Sequence, residues 1–326
     1  MKICIVGAGA IGGFIGTRLA AAGNDVSVIA RGATAEALRR HGWRLETAGT
    51  LVTAPAHVAT HAEELGAQDL VIVAVKGPAL ASVADSIGPL LQPRTVVLTA
   101  MNGVPWWFFD GFGSALEGMR LESVDAGGRI GAAIPAAHVV GCVVHAACTT
   151  TEPGRTRNAV GRRLIVGEPR GGESERVRML VALLGGAGFD AEASPCIQRD
   201  IWYKLWGNMT MNPVSALTGA TSDRVLDDPL VNTYCEAVMG EARAIGHRIG
   251  CAIAETPEQR HLITRKLGAF KTSMLQDVEA GRAVEIDVLL AAPREIGHAL
   301  SMPTPYMDAL LGLARLQART LGLYPG

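Results

Sequence analysis

Short apolar runs separated by polar or helical stretches dominate the first third of the chain. Residues 2–6 form an apolar and partly β-branched run, and "VSVIA" supplies a second one. Two more runs, "DLVIVAV" (69–75) and "TVVLTA" (95–100), have the length and composition of buried strands. Apolar strands of this kind are typical of a parallel sheet covered on both faces, so the pattern predicts an α/β fold.

The periodicity of the apolar residues changes twice in the rest of the chain. From about residue 119 to 170 the pattern predicts β-rich hairpins, followed by a short helix near 173–187 and a final strand in "GFDAEASP". Helical periodicity dominates from residue 197 onward. The predicted helices span residues 198–220, 229–250, 257–280 and 304–322. Pro213 lies inside the first of these and predicts a kink or a break there.

The turn after the first strand is rich in glycine. Gly7, Gly9 and Gly12 form the pattern G-x-G-x-x-G between that strand and a helix. The first glycine permits a tight turn, the second lets backbone N–H groups approach a pyrophosphate, and the third allows close helix–strand packing. The alternative is a glycine turn without a ligand. The placement between strand and helix favours a Rossmann-type dinucleotide site, with the phosphates at the helix N-terminus.

Side chains after the predicted strands indicate which dinucleotide binds. An NAD site carries an acid at the end of the second strand, whereas this chain has Arg31. A guanidinium there suits the 2′-phosphate of NADP(H), although a solvated surface charge is the alternative. Lys76 and Asn102 follow the next two strands, where ligands of open parallel sheets bind. The pattern therefore predicts NADP(H) as the cofactor.

These patterns divide the chain into two predicted domains. A length of 326 residues suits two domains, and Pro195 lies between the strand-rich and helix-rich parts. We predict a Rossmann-type NADP-binding domain over residues 1–196 and an all-helical substrate and catalytic domain over residues 197–326.

Composition narrows the class of partner. Hydrophobic residues make up 48% of the chain and charged residues 19%, which supports a packed core. The net charge is −1, from 30 basic and 31 acidic residues that are well mixed. This balance argues against nucleic acid and anionic membranes as partners. A small molecule is the expected partner, and a homodimer is the candidate assembly.

The remaining sequence signals favour a cytoplasmic protein. The apolar start imitates a signal peptide, but cleavage would destroy the glycine pattern, so we do not expect export. Six cysteines without a C-x-x-C pair are typical of reduced thiols in the cytosol. Only His57 and His61 have a spacing that suits a shared metal, and no third ligand lies nearby. No metal site is expected.

A polar stripe interrupts the apolar stretch "KLWGNMTMNP". Lys204, Asn208 and Asn212 are four residues apart, which places them on one face of a helix. A stripe that faces solvent is the alternative, but the tryptophan-rich flanks favour a cleft. A semi-buried lysine there is able to protonate the oxygen of a ketone during reduction.

Together with the glycine pattern, this stripe and the later segment "SMLQDVEAGRAVEID" (273–287) resemble the ketopantoate reductase (2-dehydropantoate 2-reductase) family over nearly the whole chain. The resemblance implies that Lys204 is the general acid and that Glu285 completes the catalytic site. It also implies a substrate site for a 2-oxo acid and assigns Arg31 and Lys76 to the adenosine phosphate, with Asn102 near cofactor and substrate. The implied substrate residues are Asn102, Asn208, Asn212 and Ser273.

Two departures from the family pattern leave the substrate open. Leu290 and Ala291 stand where the family has Asn-Gly, and the bulky segment Pro105–Phe109 replaces a small loop. We expect its rings to add apolar surface near the nicotinamide end. The leading prediction is NADPH-dependent reduction of 2-dehydropantoate. The alternatives are another branched or aromatic 2-oxo acid, a related hydroxyacid dehydrogenase that works oxidatively, and an NADP-sensing regulator.

Overall fold

The computed structural model describes residues 1–266 and 268–325. It divides into two compact units. The first unit comprises residues 1–101, 110–112 and 127–197. The second comprises residues 102–109, 113–126 and the described part of 198–326.

The first unit is built on a ten-stranded mixed sheet. Its strands are β1 (Lys2–Val6), β2 (Asp25–Ile29), β3 (Trp43–Thr47), β4 (Thr50–Ala54), β5 (His57–Ala59), β6 (Leu70–Val73), β7 (Val96–Ala100), β8 (Val139–Glu152), β9 (Arg155–Gly167) and β10 (Asp190–Ala193). The order across the sheet is β4-β3-β9-β8-β7-β6-β1-β2-β5, and β10 pairs with β9. The strands from β5 to β8 in this order are all parallel, as the apolar runs predict.

Helices accompany the sheet of this unit. They are α1 (Ala10–Ala21), α2 (Gly32–His41), α3 (Leu80–Ala84), α4 (Arg129–Ala133) and α5 (Glu175–Gly186). Apolar residues of the central strands and of α1 and α5 are buried in one core, in which the rings of Phe14 and Phe189 meet edge to face at 5.1 Å. The predicted α/β fold class is confirmed, with a Rossmann-like first part and a helical second part.

The predicted β-rich stretch from 119 to 170 is smaller than expected. Its one long hairpin is β8 and β9, which pair antiparallel, whereas the residues before it form turns and the short helix α4. A second antiparallel pair, β3 and β4, was not predicted. The turn between β3 and β4 contains Ala48 and Gly49, both with positive φ. These residues carry a weak turn signal in the sequence, so the short hairpin is hard to predict.

The regular elements of the second unit, as far as the structure describes it, are helical. They are α6 (Ile197–Thr218), α7 (Ser222–Asp227), α8 (Pro229–Arg248), α9 (Pro257–Arg265), α10 (Ser273–Glu279), a π-helical turn (Asp287–Ala291), α11 (Ala292–Ala299) and α12 (Pro305–Thr320). The helix predicted over 257–280 is wrong, because α9 and α10 are separate. Gly268, with a φ of 63°, lies between them in a conformation that a helix does not contain.

Helix α6 continues through Pro213, so the predicted break there is wrong. A proline inside a helix costs about 3 kcal/mol, since it removes one hydrogen bond and crowds the preceding turn. The apolar residues Trp202, Trp206 and Met209 on this helix are at most 1% exposed. Burial of each such side chain stabilises by roughly 1.5–3 kcal/mol, which offsets the cost of the proline.

Most of the segment from 102 to 126 does not belong to the part of the protein to which the sequence assigned it. The sequence assigned it to the first domain, whereas residues 102–109 and 113–126 pack with the second unit. The rings of Phe108 and Trp202 lie 6.1 Å apart, and Gln198 donates a hydrogen bond to the Phe108 carbonyl. Aromatic burial therefore associates this segment with α6. The domain boundary at residues 196 and 197 stays a prediction.

Within residues 1–266 and 268–325, no helix combines the length and apolar character needed to cross a membrane.

His261 on α9 is a buried titratable group that links the stability of the second unit to pH. It is 5% exposed, and neither ring nitrogen has a hydrogen-bond partner among the described residues. Burial lowers the pKa of His261 from 6.5 to about 4.

We expect the free energy of unfolding to fall as the pH is lowered from 6.5 to 4, and His261→Gln to reduce this dependence. Below pH 6.5 the unfolded chain binds a proton at residue 261 that the folded chain excludes until about pH 4. Urea unfolding across this range measures the effect. A matched His247→Gln change on the exposed face of α8 should leave the slope unchanged. Equal slopes in all three proteins would contradict the prediction.

Candidate functional site

The glycine turn of the first unit has the geometry that its pattern predicts. Gly7 has a φ of 98°, and a Cβ atom there would lie 2.6 Å from Val75 Cγ1. A Cβ atom on Gly12 would collide with the Gly7 carbonyl oxygen. A Cβ atom on Gly9, by contrast, would meet no atom within 4 Å. The first and third glycines thus allow the turn and the packing, while the second borders open space.

The start of α1 suits an anionic group. Gly9 caps this helix without a side-chain hydrogen bond, and its first turn contains no acidic residue. The positive end of the helix dipole and its first N–H groups are therefore not engaged by a carboxylate of that turn. Together with the open space at Gly9, this fits the pyrophosphate of a dinucleotide.

Both predicted cationic cofactor residues lie beside strands that flank β1. Arg31 follows β2 and caps α2, and it is exposed. Lys76 follows β6 and is half-buried. Because β2 and β6 both pair in parallel with β1, their carboxyl ends lie at the same edge of the sheet as the glycine turn. The first unit therefore contains the predicted cofactor residues Gly7, Gly9, Gly12, Arg31 and Lys76.

In the second unit, α6 presents two distinct faces. The indole N–H groups of Trp202 and Trp206 donate to the carbonyls of Ala242 and Met239 on α8, at 3.2 and 2.8 Å. These rings fix the apolar face of α6 against α8. Residue 204 follows residue 202 by two positions, or about 200° around the helix, so its side chain points away from that contact.

The polar stripe on the other face is partly buried. Lys204 and Asn208 are half-buried, and Asn212 is 5% exposed. The stripe is therefore not a fully solvated helix face. The side-chain amide of Asn212 donates to Ser273 Oγ at 3.4 Å, and Ser273 is the first residue of α10. The structure thus brings together two of the predicted substrate residues.

A hydrogen-bonded chain joins Lys204 to Glu285 through Asn102. Lys204 Nζ donates to Asn102 Oδ1 at 2.8 Å, and Asn102 Nδ2 donates to Glu285 Oε2 at 3.5 Å. Glu285 is 8% exposed, so its carboxylate sits in surroundings that strengthen charge interactions. All three residues belong to the second unit, including Asn102, which the sequence also assigned to the cofactor. The sequence grouped these residues, but it did not predict that the amide bridges them.

The residues around Glu285 are held by the end of the chain. The backbone N–H of Val284 donates to the Leu323 carbonyl at 3.3 Å, and the Tyr324 hydroxyl donates to Asp287 Oδ1 at 2.6 Å. Burial raises the pKa of Asp287, and burial together with this carboxylate raises the pKa of Tyr324 to about 12. The sequence reasoning missed Tyr324 and Asp287, because their pairing carries no local signal.

The aromatic segment that departs from the family pattern is part of the core. Trp106, Trp107, Phe108 and Phe109 are 0–4% exposed. Phe108 and Phe109 also contact each other edge to face, with centroids 5.1 Å apart. The expectation that these rings form an apolar lining for the substrate is therefore not supported. They bury the chain next to Asn102 and fix where its backbone runs.

Comparisons with known proteins agree on one family. Residues 3–109 match the family model "Ketopantoate reductase PanE/ApbA", and residues 196–318 match "Ketopantoate reductase PanE/ApbA C terminal". The 2-dehydropantoate 2-reductase of Mesorhizobium japonicum is 45% identical over 325 residues, which cover 99% of this chain and 100% of the relative.

Solved structures show the same likeness. A protein from Ralstonia solanacearum MolK2, provisionally assigned as ketopantoate reductase, is 59% identical with a TM-score of 0.96, and the match covers 99% of both chains. D-mandelate dehydrogenase, solved with NADH and anilino(oxo)acetate, is 21% identical with a TM-score of 0.85, over 99% of this chain and 100% of that one. The likeness to D-mandelate dehydrogenase shows a shared fold only.

Proposed function

Because the chain belongs to the ketopantoate reductase family, we propose that it reduces 2-dehydropantoate to (R)-pantoate with NADPH, a step of pantothenate biosynthesis. As a member of this family, the protein is an oxidoreductase that acts on CH–OH groups and uses a dinucleotide. NADPH, the proton donor and the pathway are the proposed parts. A cytoplasmic location belongs to the proposal, since the six cysteines occur as thiols.

The observation that carries the proposal is the hydrogen-bonded chain from Lys204 through Asn102 to Glu285. Reduction of a ketone leaves negative charge on the carbonyl oxygen, which needs a proton donor of positive charge. When bound, the reduced nicotinamide supplies the hydride. Lys204 supplies the proton from Nζ, and Asn102 holds that ammonium group in place through its carbonyl oxygen.

Neutral donors are proposed to hold the rest of the substrate. Asn208, Asn212 and Ser273 offer amide and hydroxyl groups that bind carboxylate and hydroxyl oxygens without adding charge. The contact between Asn212 and Ser273 joins α6 to α10, so the two helices present their donors together. Glu285 orients Asn102 and is able to accept a hydrogen bond from the product hydroxyl.

A screen of NADPH oxidation against 2-oxo acids tests the function. We expect 2-dehydropantoate to have the highest kcat/KM in a panel that includes branched and aromatic 2-oxo acids. Rates with the matching 2-hydroxy acids and NADP⁺ establish the preferred direction. Strong preference for a different 2-oxo acid would replace the proposed substrate, and activity only in oxidation would favour a hydroxyacid dehydrogenase.

The choice of cofactor depends on Arg31. We expect Arg31→Ala to weaken NADPH binding by about 1.5–3 kcal/mol, or roughly tenfold to a hundredfold, because the 2′-phosphate loses its charged hydrogen bonds. The use of NADH should hardly change. Fluorescence titration with both cofactors measures the effect, and Arg39→Ala on the exposed side of α2 is the matched control. Equal losses with both cofactors would show that Arg31 supports structure.

A further inference from the structure

The π-helical turn Asp287–Ala291 has a local cause. It continues directly into α11, and the Ala292 N–H donates to the Asp287 carbonyl, five residues earlier. The next residue is Pro293, which has no N–H to donate. If the π-helical spacing continued, the N–H of residue 293 would donate to the Val288 carbonyl. Pro293 cannot make this hydrogen bond. Its ring also crowds the preceding turn, which favours the wider π geometry.

The carbonyl of Val288 accepts a hydrogen bond from outside the helix. The backbone N–H of Val104 donates to it at 2.9 Å. Gly103 lies directly against the same peptide group. A Cβ atom at Gly103 would be 2.6 Å from the Val288 carbonyl carbon, and the φ of Gly103 is 74°. Only glycine therefore allows this backbone contact.

This contact lies beside two members of the proposed proton-donor chain. Gly103 and Val104 directly follow Asn102, and Val288 lies three residues after Glu285. The separation between the two segments thus helps to set the distance from Asn102 Nδ2 to Glu285 Oε2, which is 3.5 Å. That hydrogen bond is already long, so a further shift would break it.

We propose that Gly103, Val104 and Pro293 act as positioning residues that hold Glu285 against Asn102. Pro293 leaves the Val288 carbonyl available, Val104 binds it, and Gly103 permits the close approach. The inference rests on the proposed function for the roles of Asn102, Lys204 and Glu285. It adds that the orientation of Lys204 depends on a backbone contact made by residues that touch no reacting atom.

The test compares two glycines with similar φ angles. Gly113 has a φ of 68°, and a Cβ atom there would meet nothing within 4 Å. Gly103→Ala and Gly113→Ala therefore both place an alanine at a left-handed φ, and only the first disturbs Val288. We expect Gly103→Ala to lower kcat by roughly tenfold to a hundredfold, since small misplacements of catalytic groups have effects of this size. KM and NADPH affinity should change little, and Gly113→Ala should keep full turnover.

A double variant separates positioning from general damage. If Gly103 acts through Glu285, Gly103→Ala should lower kcat no further in a Glu285→Ala background. Losses that multiply would overturn the inference, as would equal turnover in the two glycine variants. Full turnover of Glu285→Ala alone would instead refute the proposed role of Glu285, which keeps the two failures distinguishable.

Structural readouts complete the test. A crystal structure of the Gly103→Ala protein should show the Asn102–Glu285 separation lengthened beyond hydrogen-bonding range, and an unchanged separation would overturn the inference. If this variant does not fold, Pro293→Ala takes its place, because it restores an N–H that competes for the Val288 carbonyl. Its kcat should fall in the wild-type background and stay constant in the Glu285→Ala background. A fall of the same size in both backgrounds would count against positioning.

Discussion

Replacement of Lys204 by alanine is expected to lower kcat by roughly 10²–10⁴-fold, because the ammonium group acts mainly when charge develops on the substrate oxygen. Alanine removes the proton and the positive charge together. NADPH affinity should remain close to that of the wild type, since the proposed phosphate and adenosine residues belong to the first unit. Turnover measured beside NADPH fluorescence separates the two effects.

The exposed Lys266 provides the matched control for Lys204. Lys266→Ala removes the same side chain from a surface position of the second unit, and we expect it to keep full turnover. A Lys204→Ala enzyme with unchanged kcat would mean that the polar stripe of α6 is structural. The proton would then come from another group.

Glu285→Ala is expected to lower kcat by on the order of 10²-fold through the loss of orientation. Without the carboxylate, the Asn102 amide loses the acceptor for its N–H and is free to turn its oxygen away from Lys204. The truncation also leaves a space beside that amide. Steady-state turnover with saturating substrate measures the loss.

Two further variants test whether Lys204 and Glu285 act together. Glu285→Gln keeps the size and an acceptor oxygen, so it should retain more activity than Glu285→Ala. The Lys204→Ala/Glu285→Ala double variant should lose less than the product of the single losses, because groups that act as a unit are not additive. Independent, multiplied losses would contradict the bridge through Asn102.

The parts of the site that depend on neighbours in the sequence were predictable. Gly12 lies against the Gly7 carbonyl five positions earlier, so the spacing of these two glycines contains part of its own explanation, although Gly7 also lies against Val75 on a distant segment. The stripe of Lys204, Asn208 and Asn212 is equally local, because helical geometry alone places residues four apart on one face. In both cases the sequence indicated the side chains and the structure shows their surroundings.

Contacts between distant segments were not predictable from the pattern of residues. Asn102 is separated by 102 positions from Lys204 and by 183 from Glu285, and only resemblance to the family grouped the three. The aromatic segment 106–109 shows the same limit. An apolar run after a strand suits a pocket and a core equally, and the packing of Phe108 near Trp202 decided for the core.

The two helical prolines show why propensity alone misleads. Pro213 predicted a kink or a break, yet α6 does not break there, because large apolar side chains on the same helix are buried. Pro293 carries no comparable signal in the sequence, although it is the second residue after the one π-helical turn in residues 1–266 and 268–325. The energetic effect of a proline depends on which backbone carbonyl loses its N–H donor and on whether another group donates a hydrogen bond to that carbonyl.

The π-helical turn also determines how this segment tolerates insertions and deletions. A π turn contains one residue more than the α-helical turn it replaces, and each helical residue advances the chain by about 100°. Deletion of one residue between 287 and 291 would let the α-helix run on regularly, but it would rotate Glu285 by about 100° relative to α11. Relatives that keep this carboxylate are therefore expected to keep the length of this turn, even where its side chains differ.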